Sequence, residues 1–180
     1  MLGAMSAPTE ITPDTKDWTW VLELPCPECG FVSAEVRPVE VADRVLGMLP
    51  RWRSVLERDD ADERPAADAW SPAEYACHVR DVFRVFEGRV DLMLEHDDPA
   101  FENWDQDATA IDDDYASQAP SDVAPQLDAA GRPFARTLAV VPADAWGRTG
   151  CRSNGSAFTV ATLAEYFLHD VVHDLHDVHG

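Results

Sequence analysis

Four apolar ridges at helical spacing constrain the fold of this chain more than any other feature of its sequence. They lie over about residues 39–58, from Ser71 to Met93, over about residues 121–141 and over about residues 159–178. Within each ridge, apolar residues recur every three or four positions and so fall on one face of a helix. Because loops of moderate length join the ridges, the sequence predicts an all-α fold, a four-helix bundle.

The start of the second helix is the clearest local signal. Ser71 suits the N-cap, Pro72 the first helical position and Glu74 the acidic position of a capping box. Between the second and third helices, residues 97–118 are predicted to form an acidic, irregular connection. A polar loop, which holds Gly150, is predicted ahead of the fourth helix.

Residues 1–35 are predicted to form an extended N-terminal arm, and residues 36–180 the bundle. Four prolines in the arm, at positions 8, 13, 25 and 27, oppose helix formation. The run from Trp18 to Leu22 suits a strand-like or docked segment. Because two tryptophans exposed together would form an apolar patch, we expect the arm to pack on the bundle.

Charge and hydropathy limit the partners of the protein. With 34 acidic against 14 basic residues, the formal net charge is -20, which repels nucleic-acid backbones and anionic lipids. We therefore expect a small-molecule substrate and no nucleic-acid or membrane partner, with a homodimer allowed. No apolar run approaches the ~20 residues that span a bilayer, and the N-terminal residues lack a signal pattern, which favours the cytoplasm.

Histidines on two of the predicted helices form a candidate metal site. His169 and His173 lie four residues apart and share one face of the last helix, while His78 lies within the apolar arc of the second. Taken alone, the pair suits a solvated face, and His78 suits a hydrogen-bonded core residue. Together they predict one divalent ion, zinc or nickel, because nitrogen ligands suit these metals. Glu74 and Asp81, about one turn either side of His78, are predicted to accept a hydrogen bond from its ring.

The arm carries a Cys-x-x-Cys motif, Cys26-Pro27-Glu28-Cys29-Gly30, which is typical of half a zinc knuckle. No second cysteine pair is present, so His176 and His179 are the predicted remaining ligands of a second metal site, if the arm folds back on the last helix. Two other interpretations stay open: a redox dithiol, and two reduced cysteines that are simply packed.

The run Trp70-Ser71-Pro72-Ala73-Glu74, followed by His78 and by the distant His169-x-x-x-His173 pair, resembles the DinB-like metal-binding bundles. The resemblance covers about residues 39–178. It implies that His78, His169 and His173 bind zinc or a similar ion. The chain departs from the family in two places: Asp174 stands where members often carry a further histidine, and the arm is absent from the common core.

The resemblance also implies a function. The family includes thiol-dependent S-transferases and a maleylpyruvate isomerase, which implies a metal-dependent enzyme that uses a low-molecular-weight thiol on a small electrophile. An Arg-rich, Lys-poor composition and the run Phe158-Thr159-Val160 resemble actinobacterial members, which implies mycothiol as the thiol.

Two alternatives stay open beside the transferase. One is a non-catalytic metal-binding or stress-response module of the same fold, and the other is metal-assisted hydrolysis. An open coordination position would favour an enzyme, whereas a position filled by His176 or a cysteine would favour a structural site. Candidate groups for binding an anionic substrate are the basic side chains of Arg80, Arg84, Arg132 and Arg152.

Overall fold

Five α-helices and a small sheet form the structure, a computed structural model that describes residue 11 and residues 16–180. The helices are α1 (Val41–Leu56), α2 (Pro72–Glu95), α3 (Gln106–Asp112), α4 (Pro120–Ala139) and α5 (Val160–Asp177). Helices α1, α2, α4 and α5 correspond to the four predicted ridges, and the predicted four-helix bundle is confirmed. The other residues of the predicted arm, 1–10 and 12–15, lie outside the described residues.

Capping residues start the two helices that carry the candidate site. At α2, the Ser71 hydroxyl accepts a hydrogen bond from the Glu74 N–H at 3.2 Å, and the Glu74 carboxylate accepts one from the Ser71 N–H at 2.8 Å. At α5, the Thr159 hydroxyl accepts a hydrogen bond from the Thr162 N–H at 3.1 Å. These bonds satisfy backbone donors that a helix leaves free at its first turn, so the predicted start of α2 is confirmed.

Aromatic rings pack where α2, α4 and α5 meet. Phe83, Phe134 and Phe167 come from these three helices and are fully buried. The ring centroids of Phe134 and Phe167 are 4.7 Å apart, and those of Phe83 and Phe167 are 5.6 Å apart. Burial of one such ring stabilises a fold by about 1.5–3 kcal/mol. Apolar packing, independent of the polar site, therefore holds α5 in the bundle.

A three-stranded sheet joins parts of the chain that were predicted to be irregular. It consists of β1 (Ala100–Phe101), β2 (Thr149–Arg152) and β3 (Ala157–Thr159), with β2 parallel to β1 and antiparallel to β3. Strands of two to four residues are too short to show the alternation that predicts a strand. Gly150 packs closely on α2 here, since an added Cβ would lie 2.8 Å from Met93 Cγ.

The described part of the arm lies against α5. Trp18–Leu22 forms a 3-10 helix, rather than a strand, and Asp17 caps it by accepting a hydrogen bond from the Thr19 N–H at 3.0 Å. Val21 is fully buried, while Trp18 and Trp20 are half-buried against the core. Three further 3-10 helices are present among the described residues: Ser33–Glu35, Pro38–Glu40 and Tyr115–Ser117.

Among the described helices, none combines the length and the apolar character needed to cross a membrane.

Candidate metal site and cleft

A cleft of about 340 Å³ contains all three predicted metal ligands in its lining: His78 from α2, and His169 and His173 from α5. Three tryptophans from different parts of the chain also line it: Trp18, Trp70 and Trp104. All three histidines are buried. The structure therefore brings the predicted ligands to one cleft, although it does not bring their donor atoms into one group.

Helix α5 carries two polar stripes, and each residue of the second stripe directly follows a residue of the first in sequence. His169 and His173 form the His stripe, and Asp170 and Asp174 form the Asp stripe. Successive residues of a helix point about 100° apart, whereas residues four apart share a face. Each stripe therefore meets a different neighbour: the His stripe faces the arm, and the Asp stripe faces His78 of α2.

The arm-side cluster consists of Cys26, Cys29, His169 and His173. One donor atom from each residue lies within 4.8 Å of the donor atoms of the other three. The Cys26 sulfur is 3.7 Å from His173 Nδ1. Cys26 and both histidines are buried, and Cys29 is half-buried. Sulfur and imidazole nitrogen donors in this number suit zinc.

The predicted partners of the cysteine pair, His176 and His179, are not in the arm-side cluster. Both side chains are exposed. His176 continues the His stripe, but it lies almost one turn beyond His173. The structure therefore places His169 and His173, instead of His176 and His179, beside the cysteine pair.

A tight turn holds the two cysteines together. The Gly30 N–H donates a hydrogen bond to the Cys26 carbonyl at 2.9 Å, and the Cys26 N–H donates one to the Phe31 carbonyl at 2.8 Å. Gly30 has a φ of 74°, in the left-handed region that favours glycine. Burial raises the pKa of Cys29 to about 11, and the neighbouring Cys26 thiol adds to the rise. In the absence of a cation, Cys29 is therefore a neutral thiol at physiological pH.

The helix-side cluster consists of His78, Asp170 and Asp174, whose donor atoms also lie within 4.8 Å of one another. His78 Nε2 is 3.7 Å from an Asp174 carboxylate oxygen. The His78 ring stacks on Trp104, with centroids 5.3 Å apart and an interplanar angle of 6°. Burial lowers the pKa of His78 to about 4, so its imidazole is neutral at pH 7.

The two carboxylates predicted to orient His78 have other partners. Glu74 accepts hydrogen bonds from Arg64 and from the Ser71 backbone. Asp81 accepts hydrogen bonds from three side chains: Arg80, Arg84 and Tyr115. Sequence spacing does not fix these partners, because a carboxylate one turn away on the same helix can equally well turn to a neighbouring element. The acids beside His78 come from α5 instead.

Two ring nitrogens in the cleft suit a bound ion. His78 Nδ1 and His169 Nε2 are buried, and neither has a hydrogen-bond partner among the described residues. A buried polar atom without a partner costs about 1–3 kcal/mol. Burial, followed by the effect of His173, lowers the pKa of His169 to about 4, so its nitrogen is available as a neutral donor. The residues present therefore fit a divalent ion that prefers nitrogen or sulfur.

Of the four arginines proposed for an anionic substrate, Arg152 lines the cleft. Arg80 and Arg84 lie in the network around Asp81, and Arg132 pairs with Asp128. The sequence did not single out every lining residue.

Among those that it missed are Arg89, which donates a hydrogen bond to the Glu102 carbonyl at 3.1 Å, and Trp104. Arg89 falls in the middle of a strong helical pattern, and Trp104 lies in a connection without periodicity, so neither position carried a usable signal.

Fold and site together define a helical bundle with a histidine-lined cleft between its second and last main helices. Residues 41–178 match the family model described as the DinB superfamily. The chain therefore belongs to the DinB superfamily, as the histidine motifs indicated. No curated protein matches the sequence at a significant level.

The fold is also similar to a solved structure from Bacillus subtilis. That protein, YfiT, is described as a probable metal-dependent hydrolase with an unusual four-helix bundle topology. The two structures have a TM-score of 0.64 and 19% sequence identity, and the match covers 77% of this chain and 81% of YfiT. At this level of identity, the likeness supports the fold.

Proposed function

We propose that the protein is a metal-dependent enzyme that acts on a small organic molecule in the cleft, with a divalent ion bound at His169 and His173. One observation carries this proposal: three buried histidines line one cleft, and ring nitrogens of two of them have no hydrogen-bond partner among the described residues. The family resemblance adds His78 as the third ligand. Three protein ligands would leave a coordination position open to a substrate.

The other groups of the cleft suit a small, partly apolar substrate. Trp18, Trp70 and Trp104 offer aromatic surface, and Arg152 offers a positive charge for an anionic group. Because the aromatic rings cover the histidines, a molecule bound there would be shielded from bulk water.

The proposed reaction is S-transfer or isomerisation of a small electrophile with a low-molecular-weight thiol of the mycothiol type. A bound zinc or nickel ion would lower the pKa of a coordinated thiol or water, which supplies a nucleophile at neutral pH. Zinc or nickel, the thiol, a homodimer and a cytoplasmic location stay predictions.

Hydrolysis is a second candidate, because YfiT is described as a probable hydrolase. The helix-side cluster favours it in one respect: an imidazole and two carboxylates beside the cleft can hold and orient a water molecule. A non-catalytic metal-binding module is favoured by a different observation, the cysteine pair beside His169 and His173, which could close the coordination of the ion.

Metal analysis of two double variants tests the proposal. We expect the purified protein to hold about one equivalent of divalent metal, and H169A/H173A to lose it. The matched control is H176A/H179A, which removes two exposed histidines at and just beyond the C-terminal end of α5 and should keep the metal. Full metal retention by H169A/H173A would exclude the proposed site.

Activity is then measured with a chromogenic aryl halide and a thiol, and separately with ester and amide substrates. Loss of thiol with formation of a thioether indicates S-transfer, and product release without thiol indicates hydrolysis. A protein that binds metal and turns over neither class supports the non-catalytic alternative.

A further inference from the structure

Four donor atoms of the arm-side cluster are already close to the arrangement that zinc requires. Zinc binds cysteine sulfur at about 2.3 Å and histidine nitrogen at about 2.0–2.1 Å in a tetrahedron, which separates a sulfur from a nitrogen ligand by about 3.6 Å. The observed distance from Cys26 Sγ to His173 Nδ1 is 3.7 Å. All four donors lie within 4.8 Å of one another, so only small side-chain shifts are needed to enclose an ion.

The carboxylates beside His173 also support a metal site. With Nδ1 facing Cys26, the opposite nitrogen, Nε2, lies 3.4 Å from a Glu28 carboxylate oxygen and 3.7 Å from one of Asp177. A carboxylate at the far nitrogen of a histidine ligand fixes the tautomer and the orientation of its ring. Glu28 lies between the two cysteines in sequence, so one turn supplies both the thiols and this carboxylate.

Aromatic side chains cover the cluster. Trp18 lies over both imidazoles, with its ring centroid 5.5 Å from that of His169 and 4.9 Å from that of His173. Phe31 contacts the His169 ring edge-on at 5.4 Å. His169 is 2% exposed, and its Nε2 has no hydrogen-bond partner among the described residues. A bound cation would supply the charge that stabilises thiolates in a dry site.

The two other interpretations of the cysteine pair explain less. A redox dithiol needs only the two thiols, and it leaves unexplained the two imidazoles whose donor atoms lie within 4.8 Å of both sulfurs. Two cysteines that were simply packed would not account for the donor atoms of two imidazoles close to both sulfurs, or for the carboxylate beside His173.

We infer that Cys26 and Cys29 bind one zinc ion together with His169 and His173, in a closed site that joins the arm to α5. This inference rests on the proposed ion at His169 and His173, and it assigns the remaining ligands to the thiolates instead of His78. Because the arm contributes Trp18 and Glu28 to the lining of the cleft, zinc would also hold one wall of the cleft in place. A closed site has no coordination position for a thiol or water, so the ion would then be structural and the helix-side cluster, not the ion, would act on a substrate.

Cobalt substitution tests the ligand set in the unaltered protein. The metal-free chain is titrated with Co²⁺ and its absorption spectrum is recorded. The inference predicts thiolate-to-cobalt charge-transfer bands in the near ultraviolet and intense visible bands of tetrahedral cobalt. A histidine-only site gives no charge-transfer bands, and such a spectrum would overturn the inference.

Zinc competition with a chromophoric chelator then compares variants. C26S/C29S is expected to bind zinc at least on the order of 100-fold more weakly than the unaltered protein. The matched control C77A/C151A removes the two cysteines outside the cluster, and H78A removes the alternative ligand. Both should keep the affinity within about twofold.

The outcomes separate the inference from the proposed function. If C26S/C29S keeps its zinc and H78A loses it, the histidine triad holds the ion and the inference is wrong. If H169A/H173A also keeps its zinc, both proposals are wrong. Circular dichroism of C26S/C29S checks that the helices remain, and the cobalt spectrum decides the ligand set even if this variant does not fold.

Discussion

The arm-side and helix-side clusters share one helix but differ in the donors that they offer. On one side of α5, two cysteines of the arm meet the His stripe, which gives two sulfur and two nitrogen donors. On the other side, His78 of α2 meets the Asp stripe, which gives one nitrogen donor and two carboxylates. The first set suits a soft or borderline ion such as zinc, whereas the second is rich in hard oxygen donors.

This difference shows how one helix contributes to two clusters of different chemistry. The two stripes are alike in spacing, so α5 alone does not decide what each of them does. The neighbouring element decides: the arm supplies thiols and a covering tryptophan, and α2 supplies an imidazole stacked on Trp104. The arm-side cluster therefore has the features of a closed structural site, and the helix-side cluster those of a group that faces a substrate.

If the apolar core, and neither cluster, holds α5 in the bundle, Phe167→Ala should have the largest effect on stability. We expect a loss of about 3–5 kcal/mol in the free energy of unfolding, because the buried ring packs on Phe83 and Phe134. Urea unfolding with and without a chelator measures it. A loss that disappears in chelator would mean that the clusters, not the core, hold α5.

A pair of neighbouring substitutions compares the two stripes directly. His169→Ala should weaken zinc binding by at least on the order of 100-fold, because it removes a ligand. Asp170→Asn, one residue further on, should change the affinity by no more than about twofold. Competition with a chromophoric chelator gives both values. A larger effect of Asp170→Asn would place the ion in the helix-side cluster.

Much of the fold and part of the site could be predicted from sequence. What could be predicted depends on local patterns, and what could not depends on tertiary packing. Helical ridges and the capping box at Ser71 are local patterns, so they predicted the bundle and the start of α2. The i, i+4 spacing of His169 and His173 predicted two donors on one face. Which part of α5 the arm covers depends on tertiary packing, so the sequence could not predict that His169 and His173, not His176 and His179, lie beside the cysteines.

The helix-side cluster was missed for a related reason. From sequence alone, Asp170 and Asp174 are typical of solvated surface, because acidic residues spaced along one stripe of a helix resemble any surface pattern. Trp104, which stacks on His78, lies in a connection that has no periodicity. Only the packing of that connection against α2 gives it a role.

A substitution at Glu74 tests whether this acid of α2 stabilises the fold or takes part in metal binding. Burial alone would raise the pKa of Glu74, but hydrogen bonds from Arg64 and Ser71 outweigh it, and the pKa is lowered. Glu74→Gln should cost about 1–3 kcal/mol of stability at pH 7 and leave metal binding unchanged.

The pH dependence of this cost follows from the direction of the shift. Since the folded protein holds the Glu74 proton more weakly than the unfolded chain, the stabilisation is present above the ordinary glutamate pKa of about 4.5. It is lost as the pH falls through the lower value of the folded state. Urea unfolding at pH 7 and at strongly acidic pH should show the difference between Glu74→Gln and the unaltered protein shrinking. A constant difference would mean that the ion pair with Arg64 is not its source.

Glu28→Gln is expected to weaken zinc binding less than the loss of a ligand does, and it gives the finest test of the arm-side cluster. The Glu28 carboxylate lies 3.4 Å from His173 Nε2, but about half of its side chain is exposed. Solvent weakens such a contact, so we expect zinc affinity to fall by about tenfold, at the lower end for partners of metal-binding histidines. Glu23→Gln, at an exposed arm residue outside the cluster, is the matched control and should leave the affinity unchanged. If Glu28→Gln matches this control while His169→Ala loses zinc, His173 is oriented by Asp177 or by the cysteine turn alone.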